Sequence, residues 1–462
     1  MAEVHLTKEK ISAGIGMLGV GACGFGVLWA HQSAGNPGAI AVVGLGGVAA
    51  VRYVTKEKEQ KQVKQVKQDA GKAAEENRWE RYLAFFDPSV HYAVRMLADP
   101  KRAPGFWDEY HLTTWADTPG GEPDYPRVTV GATDGGVIST LVGARVRLSV
   151  PAGASTEAFA NRLDGIAHGL RADVTIVKAG RGFIELDLRT MDPLAKLVMA
   201  RKSTGLVDLE RIPAGLTEEG SEWCVPLLYR NLIIAGVPGA GKSGVLWALL
   251  CSLGPQVRAG RVVLWGIDLK FGLELKPAEP MLYRLATTED LAMKLLKDFK
   301  KAMEARGEKM AEDGRRKYVP SDDEPVHVLV IDELINLLRQ TNSKASSEAF
   351  EILFDIMRRG RSLGFSVIAC TQDMDKSILS SLRNVIQIRI GLRMVENSQL
   401  LMMYGPGAKD RGADNLRIPE GPAGAGIAYV EEEGSSRLQR CRAGWIPDDE
   451  VAALAEEYAI AA

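Results

Sequence analysis

The 462-residue chain is longer than one ordinary domain and predicts about three folded units. Its 46% hydrophobic and 25% charged residues are typical of a folded protein, and its net charge of −2 excludes a general basic field for nucleic acid. Any nucleic-acid contact must therefore be local. The five cysteines are scattered without a CxxC pair, which disfavours a structural zinc site or a disulfide framework.

Two apolar runs at the N-terminus predict a transmembrane hairpin within residues 1–54. Residues 11–30 carry no charge, and residues 38–54 carry only Arg52, near their end. About 20 helical residues cross the roughly 30 Å core of a bilayer. Lysine and arginine flank the pair but are absent from the connecting loop, so the positive-inside rule places both ends in the cytoplasm. A soluble hairpin rich in glycine and alanine is the alternative, because the second run is short.

The next stretch, residues 55–82, is rich in charge and glutamine and predicts a solvated helical linker. Its lysines recur at helical spacing and could meet anionic lipid head groups. A plain soluble linker explains the same pattern equally well.

Residues 83–204 mix short strands and helices and predict a small α+β domain. Residues 127–135 and 144–150 alternate apolar and polar side chains as half-buried strands do. A helix is expected over residues 155–170. The segment 173–190 predicts a β-hairpin that turns at its Gly-Arg-Gly sequence.

From residue 205 to residue 462 strands and helices alternate, which predicts an α/β domain. Its most specific motif is GVPGAGKS, which satisfies GxxxxGK[ST] at every fixed position. An apolar run at 232–235 precedes the motif as a strand, and residues 244–250 follow it as a helix. In this context backbone N–H groups close around phosphate oxygens at a helix N-terminus. The residues expected to bind the nucleotide are Gly236, Val237, Pro238, Gly239, Ala240, Gly241, Lys242 and Ser243. A glycine-rich turn without a ligand is the weaker alternative.

The predicted cofactors are ATP and Mg²⁺. Lys242 is expected to reach the β- and γ-phosphates, and Ser243 to bind Mg²⁺ through its hydroxyl. A second apolar strand, in HVLVIDEL, ends in Asp332 and Glu333. We expect Asp332 to hold Mg²⁺ through water and Glu333 to polarise the attacking water as a general base. One strand, at 261–268, is expected between the two motifs, which favours the ATPase branch that contains the recombinase-like motors.

Two further polar residues flank a predicted strand at 365–371. Gln372 follows the strand and is placed either to contact the γ-phosphate or the attacking water, or to bond to backbone as a loop residue. Arg361 precedes the strand and could reach the nucleotide of a neighbouring subunit as an arginine finger. Its position at a basic helix end is also explained by the helix dipole alone.

Several segments, in chain order, resemble the FtsK/SpoIIIE DNA-translocase family. The motor segments are GVPGAGKS, HVLVIDEL, RRGRSLGFSVIACTQ and NVIQIRIGLRM. WGIDLKFGLEL resembles the segment after the second motor strand, and RLSVPAGASTEAFANRLDGIAHGL with FIELDL resembles the small domain before the motor. The resemblance covers about residues 140–445. With the N-terminal hairpin, the chain is most similar to the FtsK-like conjugation proteins of actinobacterial plasmids, the TraB/TraSA type.

The resemblance implies a RecA-like P-loop ATPase, with a mostly parallel sheet and helices on both sides. The small α+β domain and the two-helix transmembrane hairpin would precede it. It further implies a homo-hexamer anchored in the cell membrane as a multi-pass protein, with its ATPase body in the cytoplasm. Such a ring hydrolyses ATP to move double-stranded DNA, in conjugative transfer or chromosome segregation.

Residue by residue, the resemblance makes Arg361 the arginine acting in trans and Gln372 the sensor glutamine, since they stand eleven residues apart as in related ATPases. Two departures from the family follow. Gln399 stands where the family often has an arginine, and no winged helix is recognisable after the motor, which puts sequence-specific DNA loading in question. An FtsK-like ATPase of a protein secretion system and a nucleotide-gated membrane scaffold are the alternatives. The single phosphate loop disfavours the first, and Glu333 disfavours the second.

Overall fold

The computed structural model describes residues 15–17, 26–30, 41–43, 47–115, 123–129, 136–203, 205–339, 342–435 and 437–460. The chain divides into two compact units, Met1–Phe85 and Phe86–Ala462.

The N-terminal unit contains short strands and one long helix. These elements are β1 (Ile15–Met17), β2 (Gly26–Ala30), β3 (Ala41–Val43) and α1 (Gly47–Leu83). The three strands pair antiparallel in the order β1-β2-β3. The helical linker expected over residues 55–82 is found within α1.

The transmembrane hairpin expected at 11–30 and 38–54 is not found as two helices. Its described residues are extended in β1, β2 and β3, and only the part from Gly47 onward is helical. The remaining residues of the hairpin lie outside the described ranges. Apolar character is shared by helices and strands, so by itself it did not decide between them in these described segments. Among the described residues, no helix combines the length and the apolar character needed to cross a bilayer.

The second unit begins with a small α+β region. Its elements are α2 (His91–Ala98), α3 (Ala103–Glu109), β4 (Thr114–Trp115), β5 (Pro123–Asp124), β6 (Val137–Thr140), β7 (Gly143–Ser149), α4 (Thr156–Ala160), α5 (Leu163–Leu170), β8 (Asp173–Gly180) and β9 (Phe183–Arg189). The sheet has the antiparallel order β6-β7-β9-β8, so the expected hairpin is present as β8 and β9. The single helix expected over 155–170 is instead two helices, α4 and α5. Of the strand expected at 127–135, Val128 bridges to Leu148, and residues 130–135 lie outside the described ranges.

The rest of the unit alternates strands and helices as expected. Its elements are β10 (Ile212–Thr217), β11 (Glu222–Val225), β12 (Leu232–Ala235), α6 (Lys242–Arg258), β13 (Val262–Ile267), β14 (Leu282–Ala286), α7 (Glu289–Glu312), β15 (Val326–Ile331), α8 (Leu334–Leu338), α9 (Ser343–Arg359), β16 (Phe365–Thr371), α10 (Lys376–Leu382), β17 (Ile388–Gly391), α11 (Asn397–Tyr404), β18 (Ile427–Glu432), β19 (Gln439–Ala443) and α12 (Asp448–Glu457).

These strands form one sheet in the order β11-β10-β19-β18-β17-β12-β16-β15-β13-β14. The half from β17 to β14 is parallel, and the other half is antiparallel. Side chains of β12 alternate between two hydrophobic cores, with Leu232 and Ile234 in one and Ile233 and Ala235 in the other. The sheet is therefore covered on both faces, as a parallel sheet requires.

The number of strands between the two motifs differs from the expectation. Two strands, β13 and β14, separate the two motifs along the chain, rather than the single strand expected. β14 was missed because its sequence LYRLA is short and half exposed. In space, β16 lies between β12 and β15, so a strand is inserted between the phosphate-loop strand and the acidic strand.

The buried side chain of Asn231 ties together the edge of the sheet opposite the phosphate loop. Its Nδ2 donates to the carbonyl oxygens of Met357, at 2.7 Å, and Val385, at 2.8 Å. Its Oδ1 accepts from the backbone N–H of Val367 at 3.1 Å. Asn231 is 0% exposed, so without its side chain these backbone groups would have no water as an alternative hydrogen-bond partner.

We therefore expect Asn231→Ala to lower the free energy of unfolding by about 3 kcal/mol or more, because three buried backbone groups lose their partner. The matched control is Asn342→Ala, which removes the exposed side-chain cap of α9 and should cost about 1 kcal/mol. Denaturant unfolding of both variants measures the difference. Equal losses would contradict the bridging role of Asn231.

Candidate active site

The phosphate loop connects β12 to α6 and needs glycine at two of its positions. Gly239 and Gly241 have φ of 73° and 94°, in the left-handed region that favours glycine. A Cβ on Gly241 would lie 2.3 Å from the backbone nitrogen of Gly426, so close packing also excludes a side chain. The N–H of Val237 donates to the carbonyl of Arg393 at 3.1 Å, which fixes the start of the loop.

Lys242 begins α6, and its side chain extends back over the loop. Its Nζ donates to the carbonyl oxygens of Gly236, at 2.9 Å, and Val237, at 3.3 Å. Burial lowers the pKa of Lys242. The first backbone N–H groups of α6 add the positive end of a helix dipole. The loop thus concentrates hydrogen-bond donors where the motif predicts phosphate oxygens.

The acidic pair stands at the carboxyl end of β15. The carboxylate of Glu333 is only 6% exposed and accepts a hydrogen bond from the Thr371 hydroxyl at 2.8 Å. The backbone N–H of Gln372 donates to both of its oxygens, at 3.2 and 3.1 Å. Both donors come from the end of β16, the neighbouring strand. The orientation of Glu333 is therefore set by the strand inserted beside it.

Lys270 was not predicted as a site residue, but its ammonium offsets the negative charge of both carboxylates. Its Nζ lies 3.3 Å from Oε2 of Glu333 and 3.6 Å from Oδ2 of Asp332. The buried carboxylate of Asp268 positions the lysine by accepting its backbone N–H at 2.9 Å. A lysine directly after a buried parallel strand, in GIDLK, was the available signal, because the carboxyl ends of parallel strands meet at one edge.

Burial and the neighbouring charges both shift the pKa values of Asp332 and Lys270. Burial raises the pKa of Asp332 to about 6, although Lys270 opposes the shift. Burial alone would lower the pKa of Lys270, but the carboxylates of Asp332 and Glu333 outweigh it and raise that pKa. The ammonium and the two carboxylates thus stabilise one another in a partly desolvated place.

Six of the twelve predicted site residues line one cleft of about 400 Å³. They are Gly239, Gly241, Lys242, Ser243, Asp332 and Gln372, together with Lys270. Glu333 joins this group through its hydrogen bonds to Lys270 and Gln372.

Arg361 is not part of this cleft. Its Nε donates to the carbonyl of Tyr229 at 2.9 Å, and its Nη2 lies 3.3 Å from Oε2 of Glu433. It precedes β16, whereas Gln372 follows it, and the seven residues of β16 span about 20 Å. Arg361 therefore lies too far away to serve the nucleotide site of its own chain.

The donor set fits Mg²⁺ bound together with a nucleotide. The Ser243 hydroxyl and the Asp332 carboxylate are oxygen ligands of the kind that Mg²⁺ takes, with water and phosphate oxygens completing its shell. Within the described ranges, no group of three or more His, Cys, Asp or Glu side chains is arranged to hold a metal ion by itself.

Comparison with known proteins agrees with these motifs. Residues 200–425 match the sequence model of the FtsK/SpoIIIE family. The transfer protein TraSA of Streptomyces ambofaciens is 24% identical over 377 residues, which are 76% of this chain and 87% of TraSA. The resemblance expected from the sequence is confirmed.

Two solved structures show similarity at the level of the fold. The pCW3 conjugation coupling protein TcpA, in its monomer form with ATPγS, is 18% identical with a TM-score of 0.48, over 71% of this chain and 91% of that one. The cytoplasmic domain of the Type VII secretion ATPase EccC of Thermomonospora curvata is 20% identical with a TM-score of 0.45, over 56% of this chain and 32% of that one.

We expect Lys270→Met to lower the free energy of unfolding by about 2 kcal/mol, because two buried carboxylates lose their shared cation while the partly exposed site admits some water. The matched control is Lys276→Met, whose ammonium pairs with Glu279 in an exposed position and should cost less than about 0.5 kcal/mol. Denaturant unfolding without nucleotide compares them. A Lys270 variant as stable as the control would show that the ion pairs contribute nothing.

Proposed function

We propose that the chain, whose residues 200–425 match the sequence model of the FtsK/SpoIIIE family, is an ATP-driven translocase of double-stranded DNA. The observation that carries ATP hydrolysis is the buried Glu333 carboxylate, held by Thr371 and Gln372 beside a complete phosphate loop. The resemblance to the FtsK/SpoIIIE DNA-translocase family supports DNA as the cargo, and the similarity to TraSA, a transfer protein, over most of both chains supports a transfer process, which we take to be conjugative. Chromosome segregation is the alternative process.

In the proposed hydrolysis the backbone of the loop and Lys242 bind and orient the β- and γ-phosphates. Glu333 polarises the attacking water and accepts its proton, and the Gln372 side chain contacts that water or the γ-phosphate. Ser243 and Asp332 would hold Mg²⁺, which when bound neutralises charge on the phosphates. Lys270 keeps the Glu333 carboxylate in place between turnovers.

We propose that the working form is a homo-hexamer in which Arg361 acts on the nucleotide of a neighbouring chain. Its side chain is 33% exposed and lies at the sheet edge opposite its own phosphate loop, so it can serve only a site in trans. In this arrangement the hydrogen bonds of Arg361 to Tyr229 and Glu433 must break before its guanidinium can contact a nucleotide on a neighbouring chain.

The proposed domain organisation keeps the divisions 1–54, 55–82, 83–204 and 205–462. Membrane anchoring, with the ATPase body in the cytoplasm, rests on the uncharged and nearly uncharged runs 11–30 and 38–54. The relation to TraSA is compatible with it.

Residues 315–317 and 409–411 are basic stretches that could contact DNA, but one arginine of each has an acidic partner within the chain. Arg315 pairs with Glu324 at 2.7 Å, and Arg411 pairs with Glu431. Since both guanidinium groups have acidic partners, we assign DNA contact to neither stretch.

The test is the ATPase rate of the full chain with duplex DNA, with single-stranded DNA and without DNA. Duplex DNA should raise the rate most. Lys242→Ala should abolish nucleotide binding, whereas Glu333→Gln should keep it and hydrolyse ATP about 10²–10⁴-fold more slowly.

Absence of both duplex stimulation and duplex binding at low salt would exclude a DNA translocase. Stimulation by a secreted protein in place of DNA would identify a secretion ATPase. Full biological function of Glu333→Gln would identify a nucleotide-gated scaffold.

Mixing two inactive variants tests the role of Arg361 in trans. Arg361→Ala should lower the ATPase rate by about 10³-fold, the lower end of the arginine-finger effect. Adding Lys242→Ala chains should restore part of the rate, because they donate Arg361 to sites whose Lys242 is intact. The control is Arg358→Ala, whose guanidinium pairs with Asp355 on its own helix. If mixing restores nothing, Arg361 does not act across chains.

A further inference from the structure

A second cleft, of about 530 Å³, adjoins the phosphate loop on the side away from the acidic pair. Its walls come from the start of α6, from the segment after β13 and from the segment between β19 and α12. Leu197, which lies between the small α+β region and β10, completes the wall.

This cleft and the cleft that contains Lys242 and Asp332 are continuous. Both are lined by Gly241, Ser243, Leu273 and Glu274. A nucleoside triphosphate whose phosphates lie on the loop must place its sugar and base beyond the loop. The adjoining cleft continues from the phosphate positions and offers this space.

We propose that this second cleft is the base- and ribose-binding subsite, and that Trp445 stacks on the base. The inference rests on the proposed nucleotide binding and extends it to a part of the ligand that the phosphate motif does not contact. Trp445 follows β19, and the phosphate-loop motif by itself predicts no role for residues in that part of the chain.

The chemistry of the walls suits a nucleobase. Trp445 is 40% exposed and Leu273 is 79% exposed, so large apolar side chains face solvent at the cleft. A planar base covers such surface and gains stacking energy on an indole. The carboxylate of Glu274 supplies a polar group for the ribose or the base, and apolar walls with a few polar groups are typical of small-molecule sites.

The backbone holds Trp445 in place. Its N–H donates to the carbonyl of Val198 at 2.7 Å, and its carbonyl accepts from the N–H of Ala200 at 2.9 Å. A Cβ on the preceding Gly444 would lie 2.6 Å from Cα of Ala200, so this approach requires glycine. Pre-organisation of this kind reduces the entropy lost when a ligand binds.

Calorimetric titration of the full chain with ATPγS and with inorganic triphosphate, which lacks base and ribose, tests the subsite. Trp445→Ala should weaken ATPγS binding about tenfold, the effect of losing one base–aromatic stack, and leave triphosphate binding unchanged. Trp445→Phe should recover most of the ATPγS affinity. The matched control is Phe85→Ala, which removes a 79% exposed aromatic side chain elsewhere and should change neither affinity.

The outcomes separate this inference from the proposed function. Unchanged ATPγS binding in Trp445→Ala, or equal weakening of ATPγS and triphosphate, would overturn the base subsite while nucleotide binding stands. Failure of the unaltered chain to bind either ligand would overturn the proposed function itself.

Discussion

The hydrogen bonds that hold the buried Glu333 carboxylate are the interactions on which the site depends. A carboxylate removed from water is stable only with partners. Its partners are the hydroxyl of Thr371, the N–H of Gln372 and the ammonium of Lys270. Thr371 is the last residue of β16 and Gln372 follows it, whereas Lys270 lies shortly after β13. These two strands are the neighbours of β15 in the sheet. Changing the order of the strands would remove the partners and leave the acid without a defined orientation.

The same sheet order separates two functions in space. The carboxyl ends of β12, β15 and β16 bring the phosphate loop, the acids and Gln372 to one edge. At the other edge, Asn231 binds together backbone groups from three segments, and Arg361 lies beside Tyr229. Because Arg361 lies away from the phosphate loop of its own chain, we proposed that it acts on the site of a neighbouring chain.

The segment that joins the small α+β region to the α/β domain also reaches the sheet edge that carries the phosphate loop. Residues 198 and 200 pair with Trp445, and Arg442 donates to the carbonyl of Leu194 at 2.7 Å. This segment and the loop after β19 therefore form one wall beside the phosphate loop. Local packing thus connects the small region to the place where the rest of a nucleotide would bind.

Local sequence determined the parts of this protein that depend on short-range chemistry. The phosphate loop requires glycine at fixed positions, and the strands at 232–235 and 365–371 have the expected bounds because strands buried on both faces read as continuous apolar runs. The acidic pair followed from its place after such a run. Apolar character misled at the N-terminus, where the described residues of the expected helices include three short strands. The contacts of Lys270 with Asp332 and Glu333, the pairing of β14 with β13 and the Trp445 cleft were decided only by the tertiary structure. Each depends on segments distant in the chain coming together, and no local periodicity records which strands become neighbours.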